Sequence, residues 1–240
     1  MNIRIGITLW LGVFFLTTVN AQLPRVIVFS KTVNYRHKSI EAGIQSIKEL
    51  GKKDYYEVLA TEDAEVLVSN LENADAVIFL STSGDVLNNS QQEKFKSFIE
   101  NGGGFVGIHG AAATEYDWPW YGKLLGAFFL DHPKLQDATI EVTDHDHPAT
   151  SFLGKIWVRY DEWYNFKDID PDIRVLLNVD ENSYTGGKHG KEHPIAWFRD
   201  YANRKMFYTA LGHTEESFKD ETFLKHISGG ILYVLGKDEK

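Results

Sequence analysis

The sequence predicts an α/β fold, a doubly wound, mostly parallel sheet with helices on both faces. Three observations lead to it. Over the first half of the chain, short apolar runs alternate with segments of helical period. The fourth run lies in Gly102-Gly103-Gly104-Phe105-Val106-Gly107-Ile108-His109-Gly110-Ala111, the pattern of a strand that breaks sharply at the carboxyl edge of a parallel sheet. Finally, no linker-like Pro/Gly/Ser tract and no internal repeat interrupts the chain, so one sheet can serve all of it.

Residues 25–30 read as a buried strand, and residues 39–50 as a helix with Ile40, Ile44, Ile47 and Leu50 at helical spacing. Residues 56–60 and 76–81 are the next strands, the second preceded by a short helical stretch. Ser90 is placed to cap a helix holding Phe95, Phe98 and Ile99, which stops at the glycines 102–104 before the fourth strand. Such alternation implies parallel strands joined by right-handed crossovers. The second half is less regular and richer in aromatics. Its strands are expected over residues 138–143, 174–179, 195–199 and 206–210, with a last helix over 221–235. Long loops lie between them and carry Trp118, Trp120, Trp157, Trp163 and most of the histidines. Loops of that length in a compact domain are usually lids or binding walls. Trp118, Trp120 and Trp157 read as core filling.

Residues 1–21 read as an export signal. Arg4 supplies the positive start, residues 5–19 are largely apolar without an acidic residue, and Val19-Asn20-Ala21 offers small residues where a signal peptidase reads them. The apolar run is short for a membrane span and polar sequence follows at once. The expectation is a periplasmic or secreted protein of one domain, residues 22–240, without stable membrane insertion. The chain has no cysteine, which excludes a disulfide framework, a lipidated cysteine and a thiol nucleophile. Without residues 1–21 it carries 24 Lys+Arg against 34 Asp+Glu, a net charge of −10. Nucleic acid and anionic membranes are poor partners for such a surface.

His109 occupies the sharp turn after the fourth strand, where related folds keep a nucleophile. It is either a site residue or an ordinary buried, hydrogen-bonded side chain held by the turn that Gly107 and Gly110 permit. His37 follows the first strand and His213 ends the strand expected at 206–210, so both should emerge at the same edge as His109. Glu162 lies in an aromatic segment able to fold over that edge. Neighbours on a strand face opposite ways, so Asp161 is expected to point away or to cap a turn. Among the remaining histidines, His132 is the better site candidate. The segment Asp144-His145-Asp146-His147 reads as a solvated loop, His189 as part of a mobile surface loop and His226 as structural. His193 either faces the pocket or ties down the loop before Ile195.

Taken together, Asn34-Tyr35-Arg36-His37, Gly107-Ile108-His109-Gly110-Ala111, His132-Pro133, Asp146-His147-Pro148, Asp161-Glu162-Trp163-Tyr164, His193-Pro194-Ile195-Ala196-Trp197 and Phe207-Tyr208-Thr209-Ala210-Leu211-Gly212-His213 resemble the ThuA-like, or trehalose-utilisation, family. The resemblance runs from about Arg25 to the C-terminus. It implies a branch of the class I glutamine amidotransferase-like fold, a flavodoxin-like sheet. Where those amidotransferases carry a cysteine this chain has His109, so glutamine hydrolysis through a thioester is not available. The resemblance implies instead a role in carbohydrate utilisation, on a disaccharide or a 3-keto-glycoside.

Tryptophan and tyrosine beside carboxylates suit sugars, whose apolar faces stack on rings while their hydroxyls take hydrogen bonds. His37, His132, Trp163, Tyr164 and Trp197 are therefore the expected substrate-binding residues, with Trp163 on the pocket wall. His109, Glu162 and His213 are the expected catalytic residues. Three imidazoles and a carboxylate can hold a divalent metal such as zinc, with His37, His109 and His213 as ligands, or can act without metal as acid and base. A 3-keto-glycoside offers an acidic proton next to its carbonyl, so such groups could serve a lyase, hydrolase or isomerase. The alternative is a non-catalytic sugar-binding module that kept the fold and its aromatic walls.

Overall fold

The computed structural model describes residues 22–201 and 204–237. The expected leader, residues 1–21, lies outside them. The first half alternates as expected: β1 (Arg25–Phe29), α1 (Ile40–Asp54), β2 (Glu57–Thr61), α2 (Ala64–Asn70), β3 (Ala76–Leu80), α3 (Asn89–Glu100) and β4 (Gly104–Ile108). The second half contributes α4 (Pro119–Leu125), β5 (Phe128–Asp131), β6 (Gln136–Val142), β7 (Ile156–Asp161), β8 (Asn165–Lys167), β9 (Arg174–Val179), β10 (Pro194–Tyr201), β11 (Arg204–Thr209) and α5 (Glu221–Val234).

Nine strands form one sheet in the order β2-β1-β3-β4-β11-β10-β9-β6-β7. From β2 to β11 all neighbours pair in parallel, which is the doubly wound part. From β11 to β7 each pair is antiparallel, so the sheet ends in a meander. Strands β3 and β4 are buried at every position, as strands covered on both faces must be. On one side Phe79 packs on Phe95, Phe105 and Tyr121, with ring centroids 5.2, 5.3 and 5.8 Å away. On the other, α1 and α5 lie against each other and against the central strands. Among the described residues no helix is long and apolar enough to cross a membrane.

Two details of the sequence reading change. Helix α3 starts earlier than a Ser90 cap would place it. Its N-cap is Asn88, whose side chain accepts from the Gln91 amide while the Gln91 side chain accepts from the Asn88 amide. The segment read as long loops contains α4, β5, β7 and β8. Strand β7 was hidden because its alternation is inverted: Ile156, Val158 and Tyr160 are exposed while Arg159 and Asp161 are buried. Ordinary patterning expects the reverse. The interior side is satisfied by polar bonding, Arg159 reaching Asp161 and Ser217 and lying over the Phe223 ring. Trp118, Trp120 and Trp157 pack against the core, as read.

The histidines outside the site also find their places. His147, expected in a solvated loop, is buried against the rings of Phe198 and Tyr233, 4.6 and 4.5 Å away, because the turn after Asp144 folds it inward. His226 is buried and bonds Ala149 O and Thr209 Oγ1. The loop holding His189 is tied down, its Nε2 accepting from the Phe166 amide and its own amide donating to Glu181.

Candidate functional site

Strand β4 ends in a strained elbow. His109 has φ 51°, a left-handed backbone that costs a non-glycine residue on the order of 1–3 kcal/mol and persists only where its surroundings impose it. Crowding does so here. A Cβ on Gly110 would meet Thr82 O at 2.8 Å, and one on Gly107 would meet Leu125 Cδ1 at 2.8 Å, so only glycines let the chain turn this tightly. The Tyr208 hydroxyl donates to His109 O at 3.0 Å. The result projects a fully buried imidazole off the carboxyl edge of the sheet.

His109 Nδ1 lies 2.6 Å from Ala210 O, and since a carbonyl only accepts, Nδ1 carries the proton. Nε2 is left with a lone pair, which takes the Tyr164 hydroxyl at 3.0 Å. Burial pushes the Tyr164 hydroxyl well above its ordinary pKa, so it keeps that proton. Around the same Nε2 stand His37 Nε2 at 3.0 Å and His213 Nδ1 at 3.2 Å. Glu162 Oε2 is 3.1 Å from His213 Nδ1 and 3.5 Å from His109 Nε2. One ligand atom from each of His37, His109, Glu162 and His213 lies within 4.8 Å of every other.

Burial, with the neighbouring imidazoles, drives the His37 ring down to about 2, so it stands neutral. Burial pulls Glu162 upward, but the His109 and His213 imidazoles beside it outweigh burial and hold the carboxyl below its usual range. A neutral imidazole next to an ionised carboxylate is a setting for a cation. The separations agree with this, because the edges of a tetrahedron around zinc with bonds of about 2.0–2.1 Å measure roughly 3.4 Å. The residues present therefore fit a divalent ion. His37 Nδ1, by contrast, is buried without a hydrogen-bond partner.

The other Glu162 oxygen, Oε1, is 3.1 Å from Nδ1 of His132, whose side chain is 40 % exposed. That nitrogen is also 2.8 Å from Pro133 O. With two acceptors on Nδ1 the proton sits there, and Nε2 is free as a base. Asp161 points away from the cleft, fully buried. It accepts from the Glu162 and His213 amides through Oδ1, at 2.9 and 3.1 Å, and from the Gly212 amide through Oδ2 at 3.1 Å. It thereby fixes Glu162 and His213 to each other. On the far side Ser39 Oγ donates to Gly212 O, anchoring the same turn to the start of α1.

The structure thus brings together His37, His109, His132, Glu162, Tyr164 and His213. Trp163 and Trp197 it places elsewhere. Both are fully buried, their indole N–H groups given to Gln136 O and Leu125 O at 2.8 and 2.7 Å, so Trp163 is core rather than pocket wall. His193 also faces inward, bonded to Tyr164 O and Glu181. The walls of the cleft come instead from Tyr35, Ala113, Tyr116, Phe129 and Leu135. Of these five only Tyr35 lies in a motif, Asn34-Tyr35-Arg36-His37; the other four carry no motif signal of their own.

Comparison with known proteins agrees with this architecture. The model of the family described as trehalose utilisation, ThuA, matches residues 25–234. A ThuA-like protein from Bacteroides uniformis superposes with TM-score 0.75 at 25 % identity, over 92 % of this chain and 95 % of that one. A second, from Parabacteroides merdae, gives 0.73 at 18 % identity, over 90 % and 91 %. The fold also recurs within a β-galactosidase from Bacillus circulans sp. alkalophilus, at TM-score 0.60 and 14 % identity, over 91 % of this chain and 32 % of that one. A search of curated proteins found no match. With its matching sheet and its family model spanning nearly all described residues, the chain belongs to the trehalose-utilisation (ThuA) family and shares the mixed, mostly parallel α/β fold of its ThuA-like neighbours.

Proposed function

We propose that this protein is an exported carbohydrate-utilisation enzyme that moves a proton on a glycoside already oxidised to the 3-keto form. One observation carries the reading: four titratable side chains from four separate segments converge in one nearly dry shell at the carboxyl edge of the sheet. Desolvating them is costly, and a surface that merely binds sugar has no use for that cost. Export is supported by the leader pattern of residues 1–21.

In a 3-keto-glycoside the proton on C2 is acidic because the charge left behind spreads onto the carbonyl oxygen. His132 Nε2, with Nδ1 held by Glu162, is the base that takes it. The electron pair then forms the C1–C2 double bond as the bond from C1 to the glycosidic oxygen breaks. His132 returns its proton to that oxygen, and an alcohol leaves with an unsaturated keto sugar. The Tyr164 hydroxyl, kept protonated by burial, orients the His109 ring, and the imidazole cluster would lie beside the oxygen on which charge develops. A divalent ion such as zinc, held by His37, His109, His213 and Glu162, would supply Lewis-acid polarisation of the carbonyl.

The test is turnover by purified, metal-analysed protein of 3-keto-trehalose and 3-keto-glucosides, followed by release of the alcohol. His132→Ala and Glu162→Ala should each lower the rate by about a hundredfold or more. Full activity in Glu162→Ala, or no conversion of any 3-keto-glycoside, would refute the reading.

A further inference from the structure

We propose that the outer half of the cleft is a subsite for a flat aryl group, so that the ligand is an aryl glycoside rather than a disaccharide. This rests on the reading that the histidine centre takes the sugar. The cleft lined by His37, Glu162 and His213 has a volume of about 430 Å³, enough for a sugar and one further ring. His37, Glu162, Tyr164 and His213 form its polar floor, and Asn34, Ser83 and His132 add further polar groups to the lining.

Further out the lining changes character. Ala113, Phe129 and Leu135 offer only carbon, and Tyr35 and Tyr116 leave 61 % and 38 % of their surface in solvent. Of the hydroxyls found there, those of Ser83 and Tyr116 are already engaged. Ser83 Oγ donates to Tyr35 O at 2.7 Å, and the Tyr116 hydroxyl donates to Phe129 O at 3.0 Å. A second sugar brings several hydroxyls that each need a partner, and against Ala113, Phe129 and Leu135 they would lose water without replacing it. A flat aromatic ring needs none. It gains from the Tyr35 ring, which stands edge-on to His37 at 4.7 Å with much of its surface uncovered, and from Phe129, whose ring is 4.4 Å from Tyr164. Exposed rings gathered at the mouth of a polar centre mark a binding wall.

The experiment compares binding of phenyl β-glucoside, methyl β-glucoside and trehalose to the purified protein by calorimetric titration. These unoxidised sugars carry no acidic proton beside a carbonyl, so they stay intact and report binding alone. Phenyl glucoside should bind about tenfold tighter than methyl glucoside, as burying one ring face against carbon requires. Trehalose should bind no better than methyl glucoside. Leu135→Asn, which keeps the side-chain size and makes the wall polar, should bring the phenyl-to-methyl ratio to within about twofold. Because the ratio is read within each protein, a loss of folded material does not imitate it. Equal binding of phenyl and methyl glucoside, tighter binding of trehalose, or no saturable binding of phenyl glucoside would overturn the proposal. The two readings fail separately. Aryl preference without turnover of 3-keto-glycosides rejects only the proton-transfer chemistry, and turnover without aryl preference rejects only the subsite.

Discussion

His109 and His193 are both fully buried and both touch Tyr164, yet their nitrogens meet opposite company. His193 Nε2 donates to Tyr164 O, and its Nδ1 meets Glu181 Oε1 and the Tyr184 hydroxyl at 2.8 and 3.1 Å. Every partner belongs to the protein and the set is complete. His109 gives one nitrogen to Ala210 O and turns the other toward two further imidazoles and a carboxylate. Beyond the Tyr164 hydroxyl that donates to it, this nitrogen faces other lone pairs and a carboxylate, a setting that a cation relieves. The difference separates a histidine that ties the fold together from one that, under the proposed function, takes a ligand.

The comparison can be broken most directly at Glu162. Glu162→Ala should reduce turnover of a 3-keto-glucoside by about 10²–10⁴-fold while leaving the melting temperature close to that of the parent. Turnover and a thermal melt on the same preparation check it, and a large melting shift with unchanged turnover would put Glu162 in the structural group.

His193→Ala is the converse. Losing a buried imidazole that bridges a carbonyl and a carboxylate should cost about 2–4 kcal/mol in urea unfolding, with zinc affinity retained by the folded fraction. Weakened zinc binding without lost stability would erase the distinction.

Asp161→Asn sharpens it, because Asp161 touches no ligand yet holds the amides of Glu162, Gly212 and His213. Zinc affinity measured by titration should fall about 10–100-fold, the usual effect of loosening groups that orient metal ligands. Unchanged affinity would show that the turn at His213 holds without it.

The smallest effect belongs to His226, another tied histidine, whose pKa burial lowers to about 3. Between that value and the ordinary 6.5 the unfolded chain binds the proton and the folded one does not, so stability falls as pH falls through this window. The share is about 1.4 kcal/mol per pH unit below 6.5. His226→Gln should flatten the slope of unfolding free energy against pH by that amount. An unaltered slope would mean that His226 is protonated in the fold.

Much of the molecule was legible in the chain. Apolar runs such as 76–80 can only be strands covered on both faces, and the glycines around His109 can only serve a crowded turn. Hence the parallel half, the elbow and the common edge of His37, His109 and His213 followed from local pattern and the rules of strand crossover. What was misread lay where local pattern and tertiary setting disagree. Trp163 looks like a sugar platform in sequence, but the Gln136 carbonyl claims its N–H in the interior. His147 looks solvated beside Asp144 and Asp146, but aromatic rings enclose it.

The chain by itself therefore determined which strands run parallel and which side chains leave their carboxyl ends, because side-chain period and glycine placement act over a few residues. Only the tertiary structure decided that Glu162 joins them. Strand β7 lies four places from β11 in the sheet, and no local signal brings their ends together. The meander curls until Asp161 meets the amides of Gly212 and His213, and those buried hydrogen bonds between residues 51 and 52 positions apart turn a row of histidines into a closed site.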